Sequence, residues 1–125
     1  MANTNLISPH GSPELIELLL KGDALAEEKK KAATLTRINI SSRESGDLVM
    51  MGIGGFTPLT GFMGYEDWKS VCTDMKMPSK NGLFWPIPVT VSTDKATADG
   101  LEIGEEIALY SDRKSTRLNS SHGKL

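Results

Sequence analysis

The chain has 125 residues, 38% of them hydrophobic and 24% charged, and a formal net charge of −2, the composition of one ordinary globular domain with a single core. No run approaches the ~20 apolar residues of a membrane span, and Leu15–Leu20, the most apolar early stretch, is interrupted by Glu17 with no basic segment before it, so neither a secretory leader nor a membrane partner is expected and the location is cytoplasmic by default. A single cysteine, Cys72, excludes an internal disulfide, and with His10 the one histidine ahead of the last residues, a zinc site of Cys and His ligands has too few members.

Ser12 and Pro13 precede ELIELLLK, and Gly22 comes just after it. This predicts a capped helix with a hydroxyl N-cap, proline at the first helical position and glycine just past the end, burying Leu15, Leu18 and Leu19. A second helix is predicted from Asp23 to about Ala33. Glu27 and Lys31 stand four apart there with the glutamate first, the better order for an ion pair, on a solvated face that includes Lys29 and Lys30. Thr36, Ile38 and Ile40 alternate with Arg37, Asn39 and Ser41, the period of a half-buried strand. Ser41 and Glu44 have capping-box spacing, which predicts a short helix from about Ser42 towards Met51.

Gly52 to Gly64 read GIGGFTPLTGFMG, where glycines 52, 54, 55 and 61 suit a backbone that turns sharply or is closely approached. Phe56, Leu59, Phe62 and Met63 are too apolar for a solvated loop, so the segment reads as a packed corner. Tyr65–Lys76 is predicted as a helix with Trp68, Val71, Cys72 and Met75 along one apolar stripe. Asn81-Gly82 makes a turn, Phe84–Ser92 a strand whose start must be an edge or irregular because Pro86 and Pro88 donate no ladder hydrogen bond, and Glu106–Tyr110 the last strand. Strands and short helices mix without a βαβ rhythm or an internal repeat, which suits a small α+β domain of barrel-like build.

The text GIGGFTPLTGFMG, with WPIPVT at Trp85–Thr90, Ser42-Arg43-Glu44, Asp47-Leu48 and Pro9-His10-Gly11, closely resembles the N-terminal PUA-like domain of ATP sulfurylases (sulfate adenylyltransferases) from about Leu6 to about Ser111. The resemblance implies an α+β PUA-like small β-barrel with short helices. It also implies a parent enzyme that joins ATP and sulfate to adenosine 5′-phosphosulfate and pyrophosphate with magnesium, or runs in reverse. The partners it implies are a catalytic domain in the same chain and further copies in a homo-oligomer. In that family the phosphate-clamping groups lie in a later Gln-x-Arg-Asn-Pro segment and a nearby His-x-x-His. This chain has no glutamine, and its histidines, His10 and His122, are far apart, so no catalytic, cofactor-binding or metal residue carries over. The fragment alone is expected to be inactive.

Beyond Ser111 the text DRKSTRLNSSHGKL loses hydrophobic periodicity, and its first eleven residues match one reading frame of a common sequencing-library adapter. The expectation is a partial domain over 1–111, incomplete at its C-terminal end, and a non-native disordered tail over 112–125 whose removal leaves stability unchanged. Glu106–Tyr110 would then present an unpaired edge that invites self-association. Setting the tail aside leaves ten basic and fifteen acidic residues in 1–111, a body of about −5 that is a poor footprint for nucleic acid. A stand-alone PUA-like RNA-binding module is the alternative reading, which a salt-dependent RNA titration discriminates, and a small regulatory or scaffold protein is another.

The remaining candidates weigh towards structure. GIGGF lacks the Gly-Lys-Ser/Thr ending of a phosphate loop, and Thr57 occupies the third glycine position of a dinucleotide fingerprint. Cys72 on the apolar stripe reads as a small buried hydrophobe, as free cysteines usually are, and the methionines at 50, 51, 63, 75 and 77 as adaptable packing. His10, without a carboxylate or metal partner, suits a local hydrogen bond. Arg43 and Asp47, four apart, pair along the short helix or reach an adjoining domain.

Overall fold

The computed structural model describes residues 6–111 and the backbone of 118–121. In chain order the elements are α1 (Gly22–Ala32), β1 (Thr36–Ile40), α2 (Ser42–Gly52), α3 (Tyr65–Asp74), β2 (Lys76–Met77), β3 (Leu83–Phe84), α4 (Lys95–Asp99), β4 (Ile107–Ser111) and β5 (Leu118–Ser121). β1 pairs in parallel with β4, with Thr36 opposite Ile107, and β5 adds to the other side of β4 antiparallel. β2 and β3 form a separate antiparallel pair. The result is a mixed α+β fold whose described strands make one three-stranded and one two-stranded sheet, not a closed barrel.

Two apolar clusters make the core. One gathers Met51, Leu59, Val71, Met77, Trp85 and Val89; the other joins Ile38 and Ile40 of β1 to Ile107 and Leu109 of β4. Leu48 of α2 and Phe62 of the glycine-rich segment pack against both, so that helix and that loop are the mortar between the layers. The period-two reading of β1 holds at Ile38 and Ile40, which are buried while Arg37 and Asn39 are exposed, but Thr36, expected on the same face as the isoleucines, is exposed too. The α2 capping box is met: Ser41 Oγ accepts the Glu44 N–H and Glu44 Oε1 accepts the Ser41 N–H at 2.8 Å. The Asn81-Gly82 turn is present, with Asn81 itself at φ 57°.

Several expectations give way to tertiary contacts. Residues 13–21 are irregular rather than helical, because the Ile16 N–H donates to Thr57 Oγ1 (3.0 Å) and the Leu18 N–H to the Gly52 carbonyl (2.8 Å), bonds that a helix would redirect inward. Ser12 bonds locally to Glu14 instead of capping. Helix α1 starts at Gly22 with no side-chain cap, and Lys31 reaches across to Glu106 at 2.8 Å, while Glu27 meets Lys30 at 3.8 Å. Of the expected Phe84–Ser92 strand only Phe84 pairs, as the end of β3, since Pro86 and Pro88 take two donors out of the residues after it. β4 has no open edge: β1 flanks it on one side and residues 118–121, expected within a disordered tail, on the other. The rest of 112–125 lies outside the described residues.

Candidate functional site

The glycine-rich segment is the packed corner that its apolar residues imply. Thr57 and Leu59 are buried, and Thr57 Oγ1 donates to the Gly54 carbonyl (2.7 Å) while accepting from Ile16. Phe56 meets the Trp85 indole edge-on at 5.9 Å, the Met63 N–H reaches the Val89 carbonyl at 2.9 Å, and the Thr57-Pro58 peptide is cis. Two glycines make room for the irregular 14–21 segment. A Cβ on Gly52 would stand 2.9 Å from Leu19 Cδ2. One on Gly54, which holds φ +82°, would stand 2.7 Å from Leu15 Cγ and 3.1 Å from the Ile16 carbonyl. Of the four glycines read as candidates for positive φ, Gly54 is the one that adopts it.

Glu44 is the polar centre of the domain. Its side chain is buried, yet both oxygens are engaged: Oε1 by the Ser41 N–H and Oε2 by the Ser92 N–H at 2.6 Å, with Ser92 Oγ 3.4 Å away. Burial by itself would push the carboxyl pKa up, but the hydrogen bonds from Ser41 and Ser92 outweigh it and hold the group below its ordinary value. The carboxylate therefore ties the start of α2 to a segment 48 residues away. Only the Ser41 half of this arrangement has a sequence signature.

The other candidates separate. His10 Nε2 lies 2.6 Å from the Phe84 carbonyl and its ring is 6.2 Å from Trp85, a structural bond as expected, though between distant parts of the chain rather than local ones. Arg43 is exposed and, among the described residues, forms no ion pair with Asp47. Cys72 is exposed, not buried, because α3 turns Val71 inward and leaves Trp68, Cys72 and Met75 on its open side. Met51 and Met77 are fully buried, as packing residues should be, whereas Met50 and Met75 face outward.

A shallow cleft of about 230 Å³ lies beside β1, lined by Arg37, Ile38, Asn39, Thr93, Asp94 and Thr97. Its charges are already committed. The Arg37 guanidinium sits 4.1 Å over the Tyr110 ring and donates to Asn39 Oδ1 at 3.1 Å. Asp94 caps α4 through the Thr97 N–H, and its hydrogen bonds to Thr97 lower its pKa. Among the described residues no group of three or more His, Cys, Asp or Glu side chains converges as metal ligands do, so no residue is assigned to magnesium. No described helix is long and apolar enough to cross a membrane.

An anchored corner and a buried carboxylate, both spent on joining distant segments, define a small α+β packing domain. The chain belongs to the PUA-like domain family, which it matches over residues 7–119. It is 57% identical over 108 residues to the sulfate adenylyltransferase of Psychrobacter arcticus, covering 85% of this chain and 26% of that protein. It is also 57% identical over 106 residues to the sulfate adenylyltransferase of Thiobacillus denitrificans, covering 85% of this chain and 25% of that one. A solved structure of a hexameric APS kinase from Thiobacillus denitrificans matches 89% of this chain and 22% of its own, with a TM-score of 0.74 at 29% identity. The chain thus spans about a quarter of the length of these relatives.

Proposed function

We propose that this chain serves as the PUA-like portion of a cytoplasmic sulfate adenylyltransferase, where it supports the catalytic portion without itself carrying out the reaction. The observation that carries this reading is the 57% identity over 108 residues, which takes in most of this chain yet only 26% of the relative. In the reaction a sulfate oxygen attacks the α-phosphorus of ATP, a phosphate–sulfate anhydride forms, and the bond to pyrophosphate breaks. Such an in-line displacement needs cationic groups aimed at the phosphates. Here Lys31 is paired with Glu106, Lys95 with Asp99 at 2.8 Å, and Arg37 with the Tyr110 ring, which leaves these cations poorly placed to clamp a triphosphate. ATP and magnesium belong to the rest of the enzyme, and assembly into a homo-oligomer is part of the same reading.

The test has two arms. The purified 125-residue chain, freed of host enzyme, should form no adenosine phosphosulfate and make no ATP from adenosine phosphosulfate and pyrophosphate. A chimera in which residues 6–111 replace the matching stretch of the Psychrobacter arcticus protein should do both. Robust turnover by the short chain alone would overturn the supporting role; an inactive, folded chimera would overturn the assignment to this enzyme.

A further inference from the structure

Residues 15–20 form a strap whose leucines the described residues leave partly uncovered. Leu15, Leu18 and Leu19 are between 37% and 59% exposed, and beside them Val49, Met50 and Ile53 are between 38% and 52% exposed. The strap is not loose. Two backbone N–H groups fasten it to Thr57 and Gly52, and Leu19 and Leu15 lie where side chains on Gly52 and Gly54 would collide with them. A segment with helical spacing of leucines is thereby held out of a helix, with its leucines partly displayed on the surface. A group of exposed apolar side chains on a hydrogen-bonded support is the kind of surface at which partners pack.

We infer that this face, the strap together with Val49, Met50 and Ile53, is where the remaining polypeptide of a sulfate adenylyltransferase packs against the PUA-like domain. The inference rests on the proposed role in that enzyme. The occupant is set by length: about three quarters of each relative's chain lies outside the stretch matched here. A tethered partner meets the face at a high effective concentration, whereas a second copy must also overcome the loss of translational and rotational freedom.

Cysteine labelling tests it in the same chimera. With Cys72→Ser as background, Leu18→Cys and Ile53→Cys report on the face and Thr93→Cys, beside the Arg37 cleft, serves as the rate reference. In the 125-residue chain a water-soluble maleimide should label Leu18→Cys and Ile53→Cys readily. In the chimera both should react at least about tenfold more slowly relative to the reference, and the protection should persist on dilution. Equal labelling of both positions in the short and long chains would overturn the inference, as would protection that vanishes on dilution, which would make the occupant a second copy. Enzymatic activity of the chimera reports separately: an active chimera with an unprotected face refutes the docking face alone, and a protected but inactive one refutes the enzyme assignment alone.

Discussion

Replacing Glu44 by alanine removes one carboxylate and strands two backbone donors, those of Ser41 and Ser92, in surroundings where the glutamate itself is buried. Each buried N–H left without an acceptor costs about 1–3 kcal/mol. Ser41 and Ser92 are themselves exposed, so water partly replaces the lost acceptor at both donors and holds the expected loss for Glu44→Ala to about 2–4 kcal/mol, still a large share of the usual 5–15 kcal/mol margin. Glu44→Gln keeps one carbonyl acceptor but turns an amide N–H₂ towards the other donor, so its loss should be about 1–3 kcal/mol. The pH dependence separates this account from simple loss of packing. Because the folded-state pKa is lowered, the unfolded chain takes up the proton first as pH falls. The contribution is therefore present above the unfolded value of about 4.3 and is lost as pH drops through the folded pKa. Urea unfolding of the wild type, Glu44→Ala, Glu44→Gln and Arg43→Ala at pH 7, and again in steps below pH 4.5, measures all of it. The exposed Arg43 should tolerate alanine within about 0.5 kcal/mol. A Glu44→Ala loss under about 1 kcal/mol, or a Glu44→Gln variant whose acid sensitivity equals that of the wild type, would refute the reasoning.

The same contacts set three further outcomes. Gly54→Ala should destabilise by about 1–3 kcal/mol, since it combines a positive φ with a collision against Leu15 and the Ile16 carbonyl, while Gly46→Ala, in open space on α2, should stabilise by about 0.5–1 kcal/mol; thermal melts that rank them the other way would refute the corner geometry. The Cys72 thiol should react with Ellman's reagent in the native protein within several-fold of its rate in denaturant, and a thiol silent until unfolding would return it to the core. Met77→Ala should cost about 2–5 kcal/mol, as a fully buried member of the larger cluster, against less than about 0.5 kcal/mol for the half-exposed Met75→Leu, both read by chemical denaturation.

Local rules were sufficient where the deciding contacts are local. The capping box at Ser41 and Glu44, the alternation of Thr36 to Ile40 and the Asn81-Gly82 turn each depend on residues within four positions of one another, so spacing alone predicts them. The apolar content of Phe56 to Met63 likewise marked a packed corner, and the motifs around it marked the PUA-like family. Tertiary structure decided the rest. ELIELLLK has a capped helix's sequence and is not helical, because acceptors 34 to 41 residues away on Gly52 and Thr57 compete for its N–H groups and helix propensity is worth only tenths of a kcal/mol per residue. Cys72 shares a stripe with Val71, but which edge of that stripe meets the core depends on how α3 sits over Met77 and Leu59, a rotation that spacing does not specify. The second half of Glu44's role needs Ser92, and no periodicity links positions 48 apart. A sequence pattern fixes which groups must be satisfied; the partners that satisfy them at long range exist only once the chain has closed on itself.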